Sequence, residues 1–415
     1  MIEVVPESNY DSQHHFISES AWDHRRVLDK IATDCHRWLP NDRDRGLIVD
    51  ESAHLKKGSH SVGVQRQWCG RFGKVDNCQI GIYSALVHRE QMTLIDSRLY
   101  LPKAWINDPR RCKKAGIPPE EIDYRSICDI ALESIRHQRK QGVDFNWVGL
   151  DGGYGKEPHF LRELDHDGEV FMADIHKDQR VYLSDPDPFI PLQKPGRGRS
   201  RSRLKSHFDP QRLDQWCQNQ PEETWQRVRV RRTTKGFLDV EMLHKRVWLW
   251  DRKEEKAKRW HLVIRREIGN PQEIKYSISN AKKNTKIERL AYMQAQRYWV
   301  EASLKNGKSE AGMSDYQVRG WLGWNHHMTL VIMPMLFMLK TRQQQKKHYP
   351  LLSCADVARV LKYCLPRRDI TFEEVMGQLE IRHRQRRSSI ESAYRMQMQK
   401  SDSMDKILSY LISDT

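Results

Sequence analysis

The chain has 415 residues, a formal net charge of +16 and 30% charged residues. Its longest strongly apolar run, Met328 to Leu339, falls short of the about 20 residues that a bilayer-spanning helix takes, so it reads as a buried helix and no membrane partner is expected. The opening MIEVVPESNYDSQHH lacks the basic start and apolar stretch of a secretory signal, and eight cysteines without a C-x-x-C pair argue against a disulfide framework or a zinc site and fit a reducing cytoplasm.

The first 19 residues are polar and carry little pattern. From Ser20, the residues Trp22, Val27, Leu28, Ile31, Ala32, Cys35 and Leu39 recur at helical spacing until Pro40. GLIVDES, NCQIGIYSALVH and MTLIDSRLYLP then read as three strands. A Pro-rich, basic loop follows from Asn107 to Pro119. A helix is expected from about Asp123, as its cap, to Gln141, with Gly142 as terminator. FNWVGLDGGYG gives a fourth strand, Glu157 to Leu164 a helix and EVFMADI a further strand. Three strands followed by alternating helices and strands imply a mixed sheet covered by helices, an α/β fold.

The character changes at Ser184. Pro186, Pro188 and Pro191 precede KPGRGRSRSRLKSH, a basic segment that cannot build a core. RVRVRR, FLDVEML, RVWLWDR and WHLVIRRE read as short strands, a β-rich insertion up to about Asn270. A long helical stretch starts near Thr285, where Thr285 and Glu288 have capping-box spacing. Pro334 is expected to kink the Met-rich helix. The rest is mostly helical, with a basic segment RHRQRR near its end.

A large positive charge suits a polyanion, because Lys and Arg neutralise phosphates and release condensed counterions. KPGRGRSRSRLKSH, with Arg199, Arg201 and Arg203, is a candidate to track DNA phosphates or a solvated loop; the two readings are compatible. His54, Lys56 and Lys57 are candidates to contact a phosphate or plain surface residues. Adjacent His326 and His327 point in different directions on a helix and do not form a metal pair.

Asp50 closes GLIVDES and Asp151 closes WVGLDGGYG. If the two strands are neighbours, the carboxylates converge where open α/β sheets bind ligands, and such oxygen donors suit Mg²⁺. The same residues also suit ordinary caps at strand ends. Gly152 and Gly153 would allow a close backbone approach after Asp151. In QAQRYWVEASLKNGK, Arg297, Glu301 and Lys308 fall on one helix face, either holding a metal beside a phosphate or forming a solvated ion pair. Asn306 and Gly307 are weak helix formers where a bend is expected before Lys308.

Three segments carry a specific likeness: VDESAHLKKGSHSVGVQRQWCGRFGKVDNCQIG, GLDGGYG and RYWVEASLKNGKSEAGMSDYQVRGWLGWNHHMTL. With them the chain resembles the DDE transposases of bacterial insertion sequences, over about residues 10 to 345. The resemblance implies a ribonuclease H-like core with Asp50, Asp151 and Glu301 as catalytic metal ligands. It also implies Mg²⁺ as the cofactor, with Mn²⁺ as a substitute, acting in a two-metal in-line displacement. Arg297, Glu301 and Lys308 match the Arg, Glu and Lys of the Tyr-Arg-Glu-Lys signature; the Tyr position holds Gln294. Trp260 falls where relatives stack a Trp on a flipped base, and a Trp at the start of a strand also suits the core.

The domains expected are 1–45, a helical segment shorter than the family's DNA-binding region, as in a chain that is truncated, starts late or reads its ends with other surfaces; 46–183, the first part of the core; 184–270, the insertion; 271–345, the rest of the core; and 346–415, a basic helical region. The partners implied are double-stranded DNA, as terminal inverted repeats and target, and a second copy in a homodimeric synaptic complex. The location implied is the bacterial cytoplasm, at the nucleoid. Two other readings differ in chemistry: an inactive, domesticated DNA-binding relative, and a metal-dependent nuclease that does not join strands.

Overall fold

A computed structural model describes residues 9–70, 73–191, 202–233, 236–366, 369 and 371–413. Two compact units divide the chain. His14–Leu361 forms one, and the described parts of Met1–Gln13 and Lys362–Thr415 form the other.

In chain order, α1 (Tyr10–Ser18) and α2 (His24–Trp38) precede strands β1 (Arg45–Leu55), β2 (Gln65–Cys69), β3 (Lys74–His88) and β4 (Gln91–Leu99). Short helices α3 (Lys103–Ile106) and α4 (Pro109–Lys114) lead to α5 (Ile127–Lys140), β5 (Val148–Leu150), α6 (Gly152–Gly155), α7 (Pro158–His166) and β6 (Phe171–Ile175). A two-stranded ribbon, β7 (Arg180–Val181) with β8 (Gln211–Arg212), and helix α8 (Leu213–Gln218) come next. Then follow β9 (Gln226–Thr233), β10 (Gly236–Leu249), β11 (Lys258–Glu267) and β12 (Asn270–Ser279). The remainder is helical: α9 (Ile287–Gln296), α10 (Tyr298–Glu310), α11 (Trp321–Gln344), α12 (Cys354–Cys364) and α13 (Phe372–Ser413).

This is the mixed α/β architecture expected from the pattern of elements. One ten-stranded sheet runs in the order β2-β3-β1-β5-β6-β12-β11-β10-β9, with β4 also paired to β3. β1, β5 and β6 are mutually parallel, and the other pairings are antiparallel. Leu47, Ile48 and Val49 of β1 are fully buried, as an apolar run inside a covered parallel pair must be. The strands between 226 and 279 continue this sheet rather than forming a second one, because β12 pairs with β6.

Several helix starts differ from expectation for local reasons. Tyr10–Ser18 is helical despite its polar sequence, and Asn9 Oδ1 accepts from the amides of Asp11 and Ser12. α2 starts after Asp23, whose carboxylate accepts from Arg25 N and Arg26 N. α5 starts at Ile127 rather than near Asp123, because Ser126 and Asp129 form the reciprocal capping box there. No such box exists at Thr285: α9 begins after Lys286 with no side-chain cap. α11 runs on through Pro334 to Gln344.

The helical layer is tied to the sheet by buried charge. Asp96 of β4 is fully buried, 2.8 Å from Arg25 of α2 and 3.2 Å from Arg98, and it accepts from Ser134 of α5 at 2.7 Å. These partners overcome the burial penalty and hold its carboxyl well below the ordinary range. Asp96→Ala would leave the Arg25 guanidinium without its buried counter-charge. The expected cost is about 3–5 kcal/mol of unfolding free energy, read from the midpoint of a urea titration.

Candidate active site

The pairing of β1 with β5 sets the site. Leu47, Ile48 and Val49 lie opposite Val148, Gly149 and Leu150, so the next residue of each chain segment is acidic: Asp50 and Asp151. Asp50 is not at a strand end. β1 continues to Leu55 against β3, beyond the last residue of β5. Asp151 caps α6, its Oδ1 accepting from Gly153 N at 2.9 Å and Tyr154 N at 3.3 Å. It is therefore a cap as well as a neighbour of Asp50.

Carboxylate oxygens of Asp50, Glu51 and Asp151 all lie within 4.8 Å of one another. The close backbone approach in GLDGGYG occurs at Gly155 rather than at Gly152 or Gly153. A Cβ on Gly155 would sit 1.9 Å from the Asp174 carbonyl oxygen, so α6 can lie against β6 only with glycine there.

Glu301 arrives from the other side of the chain. The expected helical stretch is divided into α9 and α10 at Arg297, which itself keeps helical dihedrals (φ −55°, ψ −31°), and α10 continues through Asn306 and Gly307. Arg297 then reaches three carboxylates. Its Nε lies 2.8 Å from Asp174 Oδ2, one terminal nitrogen 2.7 Å from Glu301 Oε1, and the other 3.6 Å from Asp50 Oδ2. Asp50, Asp151, Arg297, Glu301 and Lys308 line one cleft of about 1390 Å³. Glu301 shares the cleft and the guanidinium but stands outside the close Asp50–Glu51–Asp151 group.

Electrostatics in this cleft is unbalanced. Burial, then the charge of Asp151, pushes the Asp50 carboxyl well above the ordinary range, and Arg297 only partly opposes this. Burial and Asp151 likewise raise Glu51 to about 7. Burial raises Asp174 too, against the pull of Arg297 and the Ser277 hydrogen bond. Crowded oxygen donors that resist ionisation fit a divalent, hard cation, which prefers carboxylates and would stabilise their charged form.

The comparison with known families decides the class. A family model described as DDE superfamily endonuclease matches residues 1–237. The chain belongs to the DDE superfamily of endonucleases. That membership implies a divalent metal, which the donor set accommodates. The matched region holds Asp50 and Asp151 and ends before Glu301. The chain is also 28% identical, over 181 residues, to a protein of Microchaete diplosiphon named as a probable transposase for insertion sequence element IS701. That similarity covers 43% of this chain and 44% of the relative, so the chain spans less than half of the relative's length.

The other predicted residues fall in different places. Lys308 also borders a smaller pocket of about 160 Å³ with His54 and Lys56. His54 is buried, its Nε2 2.8 Å from the Tyr83 hydroxyl. Lys56 donates to the Tyr316 carbonyl at 2.8 Å and lies over that ring, and burial lowers its pKa to about 8. Lys57 and Arg203 are exposed. Arg199 and Arg201 lie outside the described residues.

Trp260 is corrected to a core position. It is 5% exposed and packs edge-on against Phe171 at 5.1 Å, so it presents no face for a base. Of the aromatics lining the cleft, the exposed ones are Trp68, at 59%, and Tyr124, at 40%. His326 is structural as expected, its ring nitrogens 2.9 and 3.0 Å from the Ile17 and Trp22 carbonyls. Sequence reasoning missed Glu51 and Asp174. Asp174 obeys the same rule that found Asp50 and Asp151, an acidic residue late in an apolar strand, here FMADI.

The raised carboxyls set a sign for pH dependence. Between about 4.5 and about 7 the metal-free folded protein holds a proton on Glu51 that the unfolded chain has released. Its stability is therefore expected to fall as pH rises through that window. Urea unfolding across the window should show this decline. It should be shallower in Glu51→Gln, and a divalent cation that occupies the folded site should reverse it.

Proposed function

We propose that the chain is a DNA transposase that cleaves at the ends of an insertion sequence and transfers the strands to target DNA. The observation that carries this reading is the register of β1 against β5, which brings Asp50 and Asp151 together in a cleft shared with Glu301 and Arg297. The family membership and the name of the similar protein agree with it.

In this reading Asp50, Asp151 and Glu301 are the metal ligands, for Mg²⁺ with Mn²⁺ as a substitute. Divalent ions held there would supply positive charge at the attacking and leaving oxygens of an in-line displacement at phosphorus. The chain's own residues do the rest. Asp151 is held by its cap bonds to α6, and Asp50 by a bond from Glu51 N to its Oδ1 at 2.9 Å. Both carboxylates thus meet the substrate with fixed orientation. Arg297 and Lys308, with Lys156 and Lys305 on the same cleft, hold the DNA phosphates. Trp68 and Tyr124 offer stacking faces to bases near the cut. Lys56, with its lowered pKa, and His54 lie one pocket away, beside Lys308.

The domain assignment under this reading places the catalytic core at 46–183 and 271–345. The β-rich insertion at 184–270 divides it, 1–45 precedes it and the basic region 346–415 follows. The DNA partners are the terminal inverted repeats and the target duplex, engaged by a homodimer in a synaptic complex at the bacterial nucleoid. A net charge of +16 favours that association.

The test is cleavage, with Mg²⁺, of a supercoiled plasmid carrying the element's ends, followed by strand transfer from pre-cleaved ends. Asp50→Asn, Asp151→Asn and Glu301→Gln should each lose more than the about 10–100-fold that outer-shell partners of a metal site typically cost. A variant that cuts at the wild-type rate removes its residue from the site. Cleavage without joining would make the chain a nuclease rather than a transposase.

A further inference from the structure

The Tyr-Arg-Glu-Lys-like segment departs from its pattern at Gln294, and the structure gives that residue a partner. Gln294 is buried in α9 and its Nε2 lies 2.8 Å from the Ser277 hydroxyl. Ser277, fully buried on β12, stands directly opposite Asp174 of β6 and donates to its Oδ1 at 2.6 Å. The other oxygen of Asp174 takes the Nε of Arg297 at 2.8 Å. A serine hydroxyl has one proton. With the Gln294 amide donating into its oxygen, that proton is directed at Asp174. Asp174 is thereby oriented from behind, and it fixes the plane of the guanidinium.

We propose that Asp174, oriented by Ser277 and Gln294, is the positioning residue for Arg297. It holds the Nε edge so that the two terminal nitrogens face the cleft and meet a DNA phosphate. The planar guanidinium makes this effective, because fixing one edge fixes the direction of the others. Without DNA, those terminal nitrogens rest on Glu301 and Asp50. A phosphate oxygen offers them equivalent charge-assisted bonds while the bond to Asp174 persists. The proposal rests on the DNA-cleaving reading above, and it assigns Asp174 no contact with substrate.

The test reads the salt dependence of DNA affinity. A short duplex carrying the element's terminal sequence is titrated in Ca²⁺ at several salt concentrations. Each lost phosphate contact lowers the slope of log affinity against log salt by about one. Arg297→Gln should lower it by about one, and Asp174→Asn should do the same. The double variant should lose nothing further, since both act through one contact. Ser277→Ala, which leaves the carboxylate in place, should give a partial loss. It also serves as the second variant if Asp174→Asn fails to fold by near-ultraviolet circular dichroism.

A wild-type slope in both Asp174→Asn and Ser277→Ala, with the slope lost in Arg297→Gln, overturns the positioning role. So does a calorimetric Mg²⁺ affinity weakened as much by Asp174→Asn as by Asp50→Asn, because Asp174 would then be a metal ligand. An unchanged slope in Arg297→Gln overturns it as well, since no phosphate contact would remain to be positioned. The cleavage reading fails separately, by undiminished cutting in Asp50→Asn and Asp151→Asn.

Discussion

One guanidinium and the carboxylates around it constrain the whole site. Arg297 meets Asp50 from β1, Asp174 from β6 and Glu301 from its own helix. Carboxylates crowded away from water repel one another and favour their neutral forms. A single fixed cation lets several of them coexist near one another, and its geometry ties three elements to one point. Arg297 also stands where one helix passes into the next. It separates α9, whose Gln294 reaches back to β12, from α10, whose Glu301 faces the cleft.

The sheet makes that convergence available. β1, β5 and β6 are parallel neighbours, so residues at successive positions along each strand come to one end of the sheet. β12 then adds its buried serine beside β6. The strands at 226–279 are part of the scaffold of the site, because they supply the back wall against which Asp174 is held. Trp260 belongs to that wall, edge-on to Phe171 of β6.

Much of this was legible in the sequence, and the parts that were not have a common cause. The apolar runs before Asp50 and Asp151, and the spacing of Arg297, Glu301 and Lys308, are local patterns with direct geometric meaning. Which strand pairs with which is not local. Nothing in KYSISN or MADI says that Ser277 lies opposite Asp174, so Asp174 was passed over even though an apolar run precedes it as it does the other two. Glu51 was hidden by alternation: a residue next to a buried one is expected on the opposite face, yet beyond the end of β5 both side chains find the same cleft. For Trp260 a stacking role and a core place were both open, because likeness to relatives fixes a place in the order of residues but not which face of a strand is turned inward. At Thr285 the capping spacing was present, but the chain enters the helix one residue later.

The bond from Ser277 to Asp174 joins residues 103 positions apart. Asp50, Asp151 and Asp174 all leave the ribosome well before Ser277 and Arg297 do. A nascent chain that has reached only the inserted strands holds the three aspartates, but neither the guanidinium that offsets their charge nor the hydroxyl that orients Asp174. Such long-range closures come late, after the loop-closure entropy of the intervening chain has been overcome. The order of synthesis thus keeps the acidic residues apart from their counter-charge until almost the whole core is available to hold them.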